Sequence, residues 1–496
     1  MRRRISIIHL SDEQKDAVGL IFIMDKLQGD SPYGEKMIRD ATFFKREQKK
    51  ELLDEFNNIS AVLALESDTE NQLDTLRRAL MAFKNIENSL TKLENTYLHE
   101  IELFEIKSFL LNLIRVQKAY ESLCLKLKNV EFIDMEEALD ILDPDKKRLA
   151  PFYLNERYTE ELWQVRNEKN RIEALMREEN YVGHLDKLKI ERAEIVAREE
   201  AAEIAVKKDL SKKLRHYLPV FRKNINSIGR LDFTIQKALL AAKYGAACPE
   251  IGECDFLQFS GMKNPAVEAV LCARGRSFTV LDIELKSGTT LLTGANMGGK
   301  SVAVKTAVLN ICLFQMGFFV FAKSAVIPMF DGIYMIAEDM QSLNSGLSTF
   351  AAEIMRFNHI IQKANSEYLF VALDEFARGT NPEEGALIVR AVSKYLNTLK
   401  SVSILTTHYD NVAAGDFGLY QVAGLQSVNF ENLQEEILRK KGSADSVDLI
   451  AEHMDYRLLK VKEALKPPRD ALNICRLLGT EQSILSAIES EYEEIT

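Results

Sequence analysis

Three groups of residues in this chain combine types and spacing that could move a phosphoryl group. The first is the run Gly294, Ala295, Asn296, Met297, Gly298, Gly299, Lys300 and Ser301, preceded by the apolar pair Leu291-Leu292 and followed by an apolar-periodic segment from Val302 to Leu313. It fits the phosphate-binding loop pattern G-x-x-x-x-G-K-S in the strand, loop, helix setting that the pattern requires. Glycines let backbone N–H groups turn inward around a phosphate, and the helix N-terminus adds the positive end of its dipole. Lys300 supplies a charge for the outer phosphates of ATP, and the Ser301 hydroxyl is a ligand for Mg²⁺. The bland alternative is a glycine-rich turn with an incidental Lys-Ser, and the second group weighs against it.

That second group is Asp374-Glu375 at the end of the apolar run Tyr368 to Leu373. Such a run reads as a buried parallel strand, and the C-terminal ends of parallel strands are where open α/β sheets bind ligands. Asp374 is placed to hold the Mg²⁺ shell, while Glu375, one residue on, can take a proton from an attacking water. A pair of acids at a strand end can also cap the next helix. The third group is His408, which follows the strand-like run Val402 to Thr407; a histidine there can hydrogen-bond a γ phosphate or simply be a satisfied structural side chain. Between these groups, Ser345, Gly346, Ser348 and Thr349 precede Phe350 and a helical pattern, making a second helix N-terminus able to meet an anion.

The elements that must position these residues are legible in outline. From Glu35 to Val182 there is no glycine, and from Tyr33 to Asp143 no proline, so long helices are expected, with apolar spacing of three and four over Glu51 to Phe56, Leu73 to Phe83 and Ile101 to Ala119. The pattern pauses around Pro144 and Pro151, then continues through Glu160 to Glu179 and Leu185 to Tyr217 as a charged antiparallel arm. Lys207, Lys208, Lys212, Lys213 and Arg215 make its last part basic, either a solvated face or a nucleic-acid contact. Another helix is expected over Leu231 to Tyr244, after which glycine, proline and β-branched residues mark a domain boundary near residue 250. Phe278 to Leu285 alternates like a half-buried strand, and Thr289 to Thr293 is the short strand that feeds the phosphate loop.

With 496 residues and a net charge of -10, the chain can bury large cores, and a broad nucleic-acid-coating surface is not expected. No apolar run approaches the length of a bilayer, the basic start has too short an apolar stretch for a signal peptide, and the six cysteines show no zinc spacing. The reading is a cytoplasmic protein with no membrane contact.

Taken in order, the phosphate loop, the Ser345 to Phe350 loop with Glu353, the stretch Leu373 to Thr380 and Thr407-His408-Tyr409 resemble the MutS family of mismatch-repair ATPases, most strongly over Asn264 to Asp410. The resemblance implies an α + α/β fold. A helical core and lever domain would span 1–249 with its arm near 155–217, a P-loop ABC-type ATPase domain 250–425, and a helical dimerisation segment 426–496. It further implies Mg²⁺ and ATP as cofactors and a homodimer in which the Ser345, Gly346, Ser348 and Thr349 loop of one subunit closes the other's site. Phe278 corresponds to the aromatic that stacks on adenine, at a spacing from Gly294 that differs from the usual one. Ala295, Val302, Leu347 and Ala377 replace family residues without removing a catalytic group. The chain begins close to the helical core, so direct mismatch reading is not expected. Two clients follow from the resemblance: DNA, gripped between helical arms, or a protein, since short members of this kind are associated with reactivation of adenosylcobalamin-dependent lysine 5,6-aminomutase.

Overall fold

The computed structural model describes residues 9–65, 70–178, 182–294, 299–337, 349–409, 412, 417–424, 433, 452–461, 470–477 and 479–495. The chain forms two compact units that do not follow chain order. Met1–Leu27, Ala41–Phe56 and Lys237–Thr496 make an α/β unit, and Gln28–Asp40 with Asn57–Gln236 a helical unit. No helix among the described residues is long and apolar enough to cross a membrane.

Among the described residues the α/β unit has ten strands: β1 Glu250–Ile251, β2 Phe256–Met262, β3 Leu281–Lys286, β4 Gly288–Thr293, β5 Ser324–Ile327, β6 Gly332–Ile336, β7 Leu369–Leu373, β8 Val402–Thr406, β9 Gly418–Gly424 and β10 Asp455–Lys460. Six of them form one sheet in the order β10-β9-β4-β8-β7-β6, parallel throughout except for β10 against β9. Parallel strands need crossovers, and the helices Lys300–Gln315, Thr349–Ala364 and Pro382–Asn397 supply them. Strands covered on both faces read as continuous apolar runs, which is why β6, β7 and β8 are buried at every position. The remaining four strands make a second sheet, β1-β5-β2-β3.

Lys300–Gln315 is buried along nearly its whole length and carries two buried amides that stitch it to loops. Asn310 accepts from Phe321 N at 2.7 Å and donates to Lys263 O, while Gln315 donates to Phe330 O at 2.5 Å and accepts from Phe330 N. A helix apolar all round has to sit inside a domain, and these amides satisfy backbone groups that water cannot reach. The helix that follows the candidate phosphate-loop sequence is therefore one of the most deeply embedded among the described residues of the unit.

Two expectations are corrected here. The strand expected from Phe278 begins only at Leu281, leaving Phe278 outside the sheet. The helix expected from Leu231 starts at Leu218, because Pro219 lies in its first turn, where a missing N–H costs nothing. One strand escaped the pattern altogether: β10 is an edge strand with mixed exposure and charge, so its residues show no clean alternation.

In the helical unit, Phe109 packs against Tyr33, Phe83 and Phe221 with ring centroids 6.2, 5.2 and 5.8 Å away. The arm consists of Glu160–Glu178 and Val182–Arg215, joined along the apolar seam Val165, Ile172, Leu188 and Ile195. Arg166 pairs with Glu199 and Glu203, Lys169 with Glu199, and Arg192 with Glu173, so partners rise on one helix as they fall on the other: the two run antiparallel.

The fully buried Asp232 anchors this unit's first segment, accepting from Ser31 N at 2.6 Å, Ser31 Oγ at 2.7 Å and Asp30 N at 3.0 Å. Burial raises its pKa while these donors oppose the rise. Replacing Asp232 by Ala strands the two buried donors of Ser31 and the half-buried Asp30 N–H, for which a loss of about 3 kcal/mol is expected. A urea titration followed by circular dichroism should show the helical transition at a lower midpoint, and an unchanged midpoint would contradict this account.

Candidate active site

Strand β8 pairs with β4 on one side and β7 on the other, so the ends of the phosphate-loop strand, the acid-bearing strand and the histidine strand lie side by side. Asp374, the residue after β7, donates its N–H to Ile336 O at 2.8 Å. Its Oδ1 accepts from Ser301 Oγ at 3.0 Å and from Thr406 Oγ1 at 2.7 Å. Thr406 Oγ1 in turn accepts from Glu375 N at 2.8 Å, so one hydroxyl serves both acids. Asp374 is 6% exposed, and burial pushes its pKa up against the pull of the two hydroxyls and of Lys305.

Gly299 caps the N-terminus of Lys300–Gln315 with φ +80°, and Gly294 has φ +136°, conformations that favour glycine. Lys300 is 3% exposed, and its ammonium donates to Gly294 O at 2.6 Å. Burial lowers its pKa, while Glu375 and Asp374 pull it back up. Glu375 itself has φ +52° and accepts from Arg378 Nη1 at 2.6 Å. His408, half-buried beyond the end of β8, has its ring centroid 4.4 Å from that of Tyr409.

Phe278 lines a cavity of about 520 Å³ together with Gly299, Val302, Arg276, Met454 and Tyr456. The base of a nucleotide held on the loop would find two aromatic side chains here. Tyr456 lies close enough to Gly299 that a Cβ on that glycine would come within 3.0 Å of the tyrosine ring. Burial raises the Tyr456 pKa, opposed by Arg276. Neither Tyr456 nor Thr406 is visible in the sequence pattern: Tyr456 reaches the loop only through the pairing of β10 with β9, and a threonine ending a buried strand is ordinary.

The donors gathered around Asp374 suit Mg²⁺. They are hard oxygens, a carboxylate and a serine hydroxyl, and Mg²⁺ completes its shell with phosphate oxygens and water rather than with a protein cage. Burial holds the Asp374 carboxyl pKa up, and a cation there would relieve that strain by favouring the ionised form. Ser301 and Asp374 would hold the ion. Ala295, Asn296, Met297 and Gly298, and likewise Ser345, Gly346 and Ser348, lie outside the described residues; Thr349 opens the helix Thr349–Ala364.

The basic residues of the arm meet different fates. Lys207 pairs with Glu100 at 3.0 Å and Glu203 at 3.6 Å, leaving its side chain 12% exposed. Arg215 donates to Leu93 O and Thr96 O, both at 2.8 Å, so part of its capacity is committed to neighbouring backbone. Lys208 lies over the Tyr97 ring, Lys213 pairs with Asp209 at 2.7 Å, and both remain exposed, as does Lys212.

Residues 290–445 match the family model of MutS domain V. The chain is 32% identical over 211 residues to the DNA mismatch repair protein MutS of Fusobacterium nucleatum, covering 42% of this chain and 23% of that protein. To the DNA mismatch repair protein MutS of Thermus aquaticus it is 31% identical over 223 residues, 45% of this chain and 26% of the relative. The endonuclease MutS2 of Acetivibrio thermocellus is 28% identical over 226 residues, 45% of this chain and 27% of its own length. The chain thus spans about a quarter of the length of the curated relatives it matches.

If the cavity holds the base, Tyr456→Ala should weaken adenine-nucleotide binding about tenfold, within the roughly 1–3 kcal/mol that a base stacked on an aromatic ring contributes. Calorimetric titration with ATP and, as control, inorganic tripolyphosphate measures this. Equal ATP affinity in the variant would remove Tyr456 from the base site.

Proposed function

Because this chain belongs to the MutS family, we propose that its α/β unit is an ATPase that binds Mg²⁺–ATP on the phosphate loop and hydrolyses it with Glu375 as general base. The observation that carries this reading is the shared carboxylate: Asp374 Oδ1 joins the loop's Ser301 to Thr406, and Thr406 holds the backbone of Glu375. Phosphoryl transfer asks the protein mainly for positioning and electrostatic stabilisation, and this network fixes the metal ligand, the phosphate-loop serine and the base relative to one another. Mg²⁺, when bound, neutralises charge on the β and γ phosphate oxygens. Lys300 adds charge on the loop side, Glu375 takes the proton of the attacking water, and His408 hydrogen-bonds the γ phosphate.

The protein works as a homodimer in this proposal, each site closed by the other subunit's loop around Ser345, Gly346, Ser348 and Thr349. Its helical arm grips DNA through phosphate contacts in an ATP-dependent manner related to mismatch repair. Lys208, Lys212 and Lys213 are exposed and carry the contact, whereas Lys207 is largely covered by its acidic partners and Arg215, though exposed, spends donors on the Leu93 and Thr96 carbonyls. A protein client, such as an adenosylcobalamin-dependent aminomutase, is the second reading. It is favoured by the engagement of Lys207 with Glu100 and Glu203 in a chain of net charge -10.

Glu375→Gln should keep ATP affinity but slow hydrolysis by about two or more orders of magnitude, while Lys300→Ala weakens binding itself. Phosphate release at saturating ATP measures the first, and sedimentation of the Glu375→Gln protein with ATP should show a dimer. Wild-type turnover in that variant would dismiss Glu375 as base. A monomer would dismiss the composite site.

The DNA reading predicts retention on duplex that falls steeply with salt, with a slope that shrinks by about one for each phosphate contact removed. Replacing Lys208, Lys212 and Lys213 by Glu should abolish retention and leave basal ATP turnover unchanged. Indifference to DNA at low salt would transfer the proposal to the protein client.

A further inference from the structure

The backbone just after the acid pair is held in a conformation that its own residues disfavour. Glu375 has φ +52° and Ala377 φ +63°, two side-chain-bearing residues in the left-handed region within one turn. That turn is closed by Arg378 N donating to Glu375 O at 3.3 Å and by the Arg378 guanidinium on the Glu375 carboxylate at 2.6 Å. Neither bond reaches Ala377.

Two side chains from distant parts of the unit do. Glu353 Oε2, on the helix Thr349–Ala364, accepts from Ala377 N at 3.2 Å. The Tyr409 hydroxyl donates to Ala377 O at 2.9 Å. Ala377 is therefore gripped at its N–H by one element and at its carbonyl by another, and it is fully buried, as is Phe376 beside it, whose ring packs 5.2 Å from that of Phe357. Room for the tyrosine hydroxyl is reserved: a Cβ on Gly385 would lie 2.4 Å from it. Burial, reinforced by the Glu353 carboxylate, raises the Tyr409 pKa and keeps the hydroxyl a donor.

We propose that Glu353 and Tyr409 are positioning residues that aim the Glu375 carboxylate by bracing Ala377 in its left-handed conformation; this rests on the reading of Glu375 as the base. If the brace is lost, Ala377 relaxes toward the conformations an L residue prefers, and the backbone of Glu375, two residues earlier in the same turn, moves with it. The brace has a second consequence. Tyr409 directly follows His408, and Glu353 lies on the first turns of the helix that begins at Thr349, so a displacement at either place reaches Ala377, two residues from the base.

The test uses Tyr409→Phe, which removes one hydroxyl and keeps the ring, alone and combined with Ala377→Gly. Glycine adopts the left-handed conformation without a brace. Tyr409→Phe should lower kcat for ATP about tenfold with KM unchanged, a loss confined to the transition state. The double variant should recover most of that loss, with thermal melting confirming that both proteins are folded. Glu353→Ala should behave as Tyr409→Phe does and be rescued in the same way. A wild-type kcat in Tyr409→Phe, or a loss that Ala377→Gly does not repair, overturns the positioning role. Measured beside them, Glu375→Gln separates the two ideas. If it is inactive while Tyr409→Phe is fully active, only the brace fails. If it turns over like wild type, the base reading falls and the brace falls with it.

Discussion

One carboxylate oxygen organises the α/β unit. Asp374 Oδ1 takes hydroxyl donors from Ser301, at the start of the helix after the phosphate loop, and from Thr406, at the end of the adjacent strand. It does so almost out of contact with water. A buried carboxylate without such partners would be expensive, and with them it becomes a fixed point to which three strand ends are tied. Sheet order makes this possible: β8 between β4 and β7 brings Thr406 within reach of both the loop and the acids.

The charges around that point are balanced in opposite senses. Burial pushes the Asp374 pKa up and the Lys300 pKa down, while Glu375 and Asp374 draw Lys300 back. A cation beside Asp374 would favour its ionised form, and an anion beside Lys300 would favour the charged ammonium. Glu375 stands apart, paired with the half-exposed Arg378 in a turn of unfavourable backbone geometry. Strain of this sort persists only where surrounding contacts over-determine it.

The helical unit handles charge differently. Along its arm the ion pairs run between the two helices over an apolar seam, and the basic run near its end is partly spent on Glu100, Glu203 and the carbonyls of Leu93 and Thr96. What a count of lysines and arginines would present as one free patch includes a largely covered Lys207, a Lys213 paired with Asp209 and an Arg215 bonded to two carbonyls. Exposed pairs of this sort contribute little stability individually, so their chief effect is to set which charges face outward.

The sequence by itself determined what depends on neighbours in the chain. The phosphate loop between an apolar strand and an apolar-periodic helix, the buried runs of β4, β7 and β8, the acids after β7 and the long helices without glycine or proline all follow from local period and local chemistry. Tertiary structure decided what depends on residues far apart. Thr406 became a partner of Asp374 through strand order, and Tyr456 reached the cavity of Phe278 through an edge strand with no clear alternation. Residues 9–27 and 41–56 joined the α/β unit although a long helical segment separates them from its strands in the chain. The left-handed Ala377 meets Glu353 at its N–H and Tyr409 at its carbonyl, two contacts that come from elements far away in the chain. A hydrogen bond between residues tens of positions apart leaves no period and no composition in the chain, and only the fold that closes the distance reveals it.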